Sequence, residues 1–187
     1  MAGLAAAALA VLLMAGCAGG PEAGATAGPR NLPSTTGVSK AVAEGAPSAS
    51  AKMVCAEETQ TNIVKILSLS GPPRTTDSWA DKIYTCTYAL PAGPLVLSVK
   101  EAADPASAHA YFDGLSGTTA SARPIEGMAN LGFPAFEGPE GSVVFVKDNF
   151  ILKVDAEALP ATLGPHGVSR GAFAYEVATA VLACWSE

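Results

Sequence analysis

Two strands joined by the dipeptide Asp148-Asn149 constrain the fold of this chain more than any other feature. Ser142–Lys147 and Phe150–Asp155 are rich in β-branched and aromatic residues, which favour strands. Both residues between them tolerate a positive φ, and a two-residue hairpin turn requires such residues. The segment therefore predicts an antiparallel β-hairpin.

A second hairpin is predicted earlier in the chain. Strands 82–90 and 95–100 flank the turn Pro91–Pro94. In the first strand, alternate residues form an apolar face, namely Tyr84, Cys86, Tyr88 and Leu90. The polar stretch Arg74–Ser78 before it is expected to be a loop.

Three helices are predicted from apolar residues at helical spacing and from their end signals. The first spans about 51–69, with Ser50 as its N-cap and Gly71 as its stop. The second begins after Asp104, and the last spans 169–185. The order α-β-β-α-β-β-α predicts an α+β domain with an antiparallel sheet of at least four strands and helices packed on it.

Residues 18–50 have the composition of a tether. Of these 33 residues, 25 are Ala, Gly, Pro, Ser or Thr, without apolar periodicity. Such a segment buries too little surface to offset its ordering entropy, so we expect it to be disordered. As a flexible coil it would span about 30 Å.

The N-terminal segment predicts export. Leu4–Ala15 is an apolar run of 12 residues, whereas a bilayer-spanning helix needs about 20. The run therefore fits a signal peptide. Leu13-Met14-Ala15-Gly16-Cys17 resembles the lipobox of bacterial lipoproteins, which implies a signal peptide at 1–16, a lipidated Cys17 with its tether at 17–50, and an extracytoplasmic domain at 51–187.

Two departures from the lipoprotein pattern bear on this prediction. Met14 stands where Leu, Val or Ile is usual, and no Lys or Arg precedes Leu4, which leaves open a start upstream of Met1. The alternative is an ordinary signal peptide with an incidental cysteine. In the lipoprotein family the thiol carries a diacylglycerol and the new amine is often acylated. Two chains suffice for stable anchoring, here at the outer face of the cell membrane.

The charge of the domain argues against two classes of partner. From residue 53 onward, 15 acidic and 8 basic side chains give a net charge of −7. A nucleic-acid binder would show a basic stripe, and none is visible. Anionic lipid head groups would repel the domain, so membrane attachment is expected through the lipid on Cys17.

The domain also resembles a group of known proteins. Cys55, Cys86, the stretch Gly127-Met128-Ala129-Asn130-Leu131-Gly132 and the hairpin Val143–Val154 are similar to small extracytoplasmic lipoprotein domains of actinobacteria. Several of those are domains of unknown function, and some have a sandwich similar to PsbP. The resemblance covers residues 53–187 and implies an envelope location and a fold, but no activity.

The resemblance also implies a disulfide between Cys55 and Cys86. With Cys17 assigned to lipid, three cysteines remain, so at most one internal bond forms. A bond between Cys55 and Cys184, another pairing, or no bond at all stays open. An exported setting permits any of these pairings.

Catalytic and metal motifs are weak in this sequence. Gly167–Gly171 matches the letters G-x-S-x-G, but no His follows it, so Ser169 is expected to be a helix N-cap. His109 and His166 have no second ligand at helical spacing, and we expect no metal site. No phosphate-cradling or dinucleotide-binding motif is present, and we predict no cofactor.

The stretch Leu131–Phe136 is the least ordinary feature of residues 118–141, which we expect to be irregular. It places Phe133 and Phe136 in a loop. These rings form a possible contact loop, or they pack into the core.

We therefore expect a non-catalytic envelope lipoprotein that acts by contact with a protein or wall component. The alternative is a carrier of a small apolar ligand or lipid, bound between the sheet and the helices. An enzyme is not expected.

Overall fold

A computed structural model describes residues 45–126 and 132–185. It is an α+β fold, as the sequence predicts. The helices are α1 (Ala49–Lys52), α2 (Glu57–Leu67), α3 (Pro105–Thr118) and α4 (Arg170–Cys184), with a 3₁₀ turn at Met53–Cys55 between the first two. The strands are β1 (Arg74–Ala80), β2 (Ile83–Leu90), β3 (Gly93–Glu101), β4 (Arg123–Pro124), β5 (Ala135–Glu137), β6 (Ser142–Lys147), β7 (Phe150–Asp155), β8 (Thr162–Leu163) and β9 (Val168–Ser169).

Seven strands form one antiparallel sheet in the order β1-β2-β3-β7-β6-β5-β4. The strands β1 to β3 form one meander and β4 to β7 form another, and α3 connects the two along the chain. The central pair is β3 with β7, in which Leu97 lies opposite Val154. Each predicted hairpin is therefore part of a longer meander.

The main core lies between one face of the sheet and the helices α2 and α4. Alternate residues of the strands point to this face, as period-2 geometry requires. They pack against Ile63 and Leu67 of α2 and against Phe173, Val177 and Val181 of α4. The apolar face that the sequence predicts for β2 is buried here, together with Leu95, Leu97 and Val99 of β3.

A smaller core lies on the opposite face of the sheet, under α3. Ala108 and Phe112 of α3 pack on Val144, Val146 and Ile151. These strand residues alternate with those of the main core, so β6 is buried on both faces. The helix α3 packs on β6 and β7.

The predicted loop at Arg74–Ser78 is wrong, because Arg74–Ala80 forms the edge strand β1. It pairs with β2 through a two-residue turn at Asp81 and Lys82, whose φ angles are 52° and 59°. The positive φ at both positions matches the turn type whose twist suits a hairpin. Neither residue is glycine, so the turn carries no strong sequence signal.

The first helix differs from its prediction at both ends. Ser48, not Ser50, is the N-cap, and its side chain accepts a hydrogen bond from the N–H of Ala51. The helix is interrupted by the 3₁₀ turn, and it ends at Leu67 because Ser68 takes a left-handed conformation, φ 52°. The predicted stop at Gly71 lies three residues too late.

Residues 48–50 belong to the domain, although the sequence places them in the tether. The N–H of Ser48 donates to Oε1 of Glu101 over 2.8 Å. The indole Nε1–H of Trp185 donates to the carbonyl of Ser50 over 3.0 Å. These bonds join the start of the described chain to the sheet and to the end of α4.

The other predicted helix starts are confirmed. Asp104 caps α3 by accepting from the N–H of Ser107 over 2.7 Å, with Pro105 in the first turn. This bond lowers the pKa of Asp104. Ser169 caps α4 by accepting from the N–H of Ala172 over 3.2 Å. No helix among the described residues is long and apolar enough to cross a membrane.

Candidate functional site

The structure contains the disulfide between Cys55 and Cys86, which the resemblance implies. It joins the 3₁₀ turn to β2 across a sequence separation of 31 residues. Cys86 is fully buried on the face of β2 that contributes to the main core. The alternative pair with Cys184 is therefore wrong in this structure. Cys184 lies half-buried at the end of α4, outside the disulfide.

Two further contacts fix the same 3₁₀ turn. The buried hydroxyl of Tyr88 donates a hydrogen bond to the carbonyl of Val54. The hydroxyl of Thr59 donates to the carbonyl of Met53 over 2.7 Å. Burial raises the pKa of Tyr88 well above its ordinary value, and nearby Tyr84 adds to the shift. The disulfide and these bonds together form a structural clamp.

The two aromatic residues of the predicted contact loop have different positions. Phe136 lies in β5 and is buried, with its ring centroid 5.2 Å from that of Phe112. It packs into the core, and it does not offer an exposed contact surface. Phe133 is half-buried against the main core, with Nζ of Lys147 at 5.4 Å from its ring centroid.

The weak chemical motifs have ordinary structural roles. Ser169 is the N-cap of α4, as predicted, within a two-residue strand. His109 and His166 are exposed. In residues 45–126 and 132–185, no three His, Cys, Asp or Glu side chains lie close enough to hold a metal ion. Cys17 lies outside the described residues.

A groove of about 420 Å³ separates β4 and β5 from the first turns of α4. Ile125 and Tyr175 give it apolar walls. On the helix side it is lined by Gly171, which has no side chain to fill it. Glu126 and Glu137 add two carboxyl groups to the lining. The volume is within the range of small-ligand sites, but its lining mixes apolar and acidic groups.

The carboxylate of Glu137 already has partners within the protein. Its Oε1 lies 2.8 Å from Arg123. Its Oε2 faces the first turn of α4 beside Gly171. A Cβ atom added to Gly171 would lie 3.9 Å from this oxygen. A helix N-terminus favours a negative charge. Glu137 therefore places a negative charge close to this end of α4, and Arg123 lies within ion-pair distance of it.

The second surface is the part of the sheet that α3 leaves uncovered. On this side, β1, β2 and β3 present five hydroxyl side chains and one valine, which we call the hydroxyl face: Thr76, Ser78, Thr85, Thr87, Val96 and Ser98. Thr76 and Ser78 are exposed, and the other four are half-buried. Among the described residues, no hydrogen bond from another protein group reaches these five hydroxyls.

The hydroxyl face has defined borders. On β7, which is the neighbour of β3 in the sheet, Lys153 lies opposite Ser98 and Asp155 lies opposite Val96. Lys153 and Asp155 form an ion pair of 2.9 Å. One row further along the strands, Nζ of Lys100 lies 5.8 Å from the ring centroid of Tyr111 on α3. Tyr111 is the exposed large apolar side chain of the described residues, at 38%.

The hydroxyl face is not predicted from the sequence, although part of its signal is visible there. Thr85 and Thr87 alternate with the apolar residues of β2 and therefore lie on its outer face. Ser78 and Thr76 join them only through β1, which the sequence does not predict. The comparisons with known proteins add no site: no family model, no curated protein and no solved structure matches this chain.

Proposed function

We propose that this protein is a lipid-anchored lipoprotein of the cell envelope whose domain acts by binding rather than by catalysis. The disulfide between Cys55 and Cys86 is the observation that carries the proposal. Such bonds form and persist in oxidising, extracytoplasmic compartments. The lipobox-like segment Leu13–Cys17 supports the same location and supplies the anchoring residue.

The binding role is supported by the distribution of polar groups over the domain. Ser169 has a structural role as a cap, and Glu137 forms an ion pair with Arg123. The hydroxyl face, in contrast, presents exposed and half-buried donors and acceptors on three paired strands. Groups held on strands are fixed more precisely than groups on loops, which suits recognition.

Metabolic labelling with an alkyne fatty acid tests the anchor. We expect label on the parent chain and none on Cys17→Ser. Cys184→Ser is the matched control, because it removes a thiol that the proposal does not use, and it should keep the label. An unlabelled parent, or label retained on Cys17→Ser, would contradict lipidation at Cys17.

The second candidate is a carrier of a small ligand, and the groove beside α4 is the observation that favours it. Its walls of Ile125 and Tyr175 suit an apolar group, whereas Glu126 and Glu137 do not. Mass spectrometry of molecules that co-purify with the protein tests this function. An apolar ligand recovered from the parent chain but not from the groove-filling variant Ala172→Trp would favour the carrier over the contact function.

A further inference from the structure

The groove beside α4 combines apolar walls with negative charge. Its large apolar side chains are those of Pro124, Ile125 and Tyr175. The charged side chains of its lining are two carboxylates, Glu126 and Glu137. Among the described residues, no lysine or arginine lines this groove. An occupant therefore meets apolar surface and carboxylate groups within one cavity.

Two basic side chains lie in an adjoining cavity of about 300 Å³, which contains Arg123 and Arg170. Arg170 is held there by partners of its own. Its Nη2 lies 3.0 Å from Oε2 of Glu140. Its Nη1 donates to the carbonyls of Glu157 and Leu159 over 3.0 and 2.9 Å. The basic groups of this end of the domain are thus separated from the groove.

The two carboxylates of the groove differ in how far their charge is offset. Arg123 lies 2.8 Å from Oε1 of Glu137, but the Arg123 side chain is 72% exposed, so water and salt screen the pair. Glu126 is exposed, and no ion pair with another described residue involves it. Glu126 therefore supplies the less compensated charge, and the acidic domain adds to the same negative field.

Charge complementarity selects among the possible occupants of this groove. Both carboxylates and the field of the domain repel an anion. A neutral apolar molecule would cover the carboxylates without giving them a partner, which costs free energy. A cation with an apolar part satisfies the carboxylates and the apolar walls together.

We propose that the groove binds a small organic cation. Its positive group lies against Glu126, and its apolar part lies between Ile125 and Tyr175. The inference rests on the carrier function, which is the second candidate above, and it names the chemical class of the ligand.

An NMR titration of the full chain, purified in detergent, tests this inference with butylammonium, butanol and butyrate. The three probes share an alkyl chain and differ in charge, and all are soluble enough in water to stay outside the micelle. We expect the backbone amides of Gly171 and Ala172 to shift, with butylammonium bound most tightly and butyrate least. Glu126→Gln should weaken butylammonium binding about two- to fivefold, as for a charge contact at an exposed site, and it should leave butanol binding unchanged.

Two further variants complete the design. Glu58→Gln removes one exposed negative charge from the first turn of α2, outside the groove. It separates the local contact from the field of the whole domain, and it should bind butylammonium like the parent. Ala172→Trp fills the groove and should abolish the shift at Gly171 with all three probes.

The outcomes separate this inference from the carrier function. Butanol or butyrate bound as tightly as butylammonium would overturn the inference and leave the carrier function standing. Equal binding of butylammonium by Glu126→Gln and the parent, at equal melting temperatures, would do the same. No binding of any probe at Gly171 and Ala172 of the parent would overturn the inference and the carrier role of this groove together.

Discussion

The phenolic hydroxyl of Tyr88 donates a hydrogen bond to the backbone carbonyl of Val54, in the 3₁₀ turn that the disulfide also holds. Tyr88 is fully buried in the middle of β2. The bond therefore ties the first helical segment to the sheet from inside the core. It also supplies a partner to a carbonyl that water does not reach.

Tyr88→Phe should lower the free energy of unfolding by about 1–2 kcal/mol, because it leaves that carbonyl without its donor. The control is Tyr84→Phe. The hydroxyl of Tyr84 donates to Oδ2 of exposed Asp77 over 3.1 Å, so water replaces this bond easily and the change should be smaller. Urea denaturation measures both. An equal loss in the two variants would show that the Tyr88 hydroxyl has no special role.

The free energy of unfolding of the domain should fall at alkaline pH because the buried Tyr88 hydroxyl then ionises. Burial raises its folded pKa above the unfolded value of about 10. The folded state thus disfavours the phenolate. The contribution of the neutral Tyr88 hydroxyl to the free energy of unfolding is therefore complete below pH 10, and it is lost as the pH rises toward the folded pKa. Unfolding free energies between pH 8 and 11 should decline less steeply for Tyr88→Phe than for the parent. Parallel curves would contradict the assignment.

Loss of the disulfide should destabilise the domain more than loss of the other thiol. In the chain-entropy model, closing a loop of this length contributes about 3–4 kcal/mol. Cys55→Ala should approach that loss, whereas Cys184→Ala should cost about 1 kcal/mol or less, since half-buried Cys184 mainly fills space. Thermal melts with and without reductant compare them. A reductant that leaves the parent unchanged would argue against a structural bond.

The helices and central strands follow from the sequence because local physics decides them. Asp104 and Ser169 are caps, and the faces of β2 and β3 alternate clearly. The edge strand β1 does not follow, since its outer face is exposed, its inner face is only half-buried at Thr75 and Trp79, and its turn lacks glycine. The interruption at Met53–Cys55 depends on contacts with β2, which are distant in sequence. The hydroxyl face needs the register of three strands, so only its Thr85 and Thr87 are visible beforehand.

The boundary of the tether can be tested, because the composition of residues 48–50 places them in the tether whereas their hydrogen bonds place them in the domain. A chain that begins at Gly45 keeps the cap and the hydrogen bond of Ser48, and it should melt at the temperature of the full mature chain. A chain that begins at Ala51 loses both, together with the bond from Trp185 to Ser50. Its unfolding free energy should fall by about 1–3 kcal/mol. Equal melting temperatures of the chains that begin at Gly45 and at Ala51 would show that residues 48–50 do not stabilise the domain.

Intact-mass spectrometry of the mature protein, isolated from the membranes of the producing cell, tests the central claim most directly. The account predicts a polypeptide that begins at Cys17 and carries the added mass of a diacylglycerol, with or without an acyl group on its amine. A mature chain with an unmodified Cys17, or one that begins elsewhere, would contradict it.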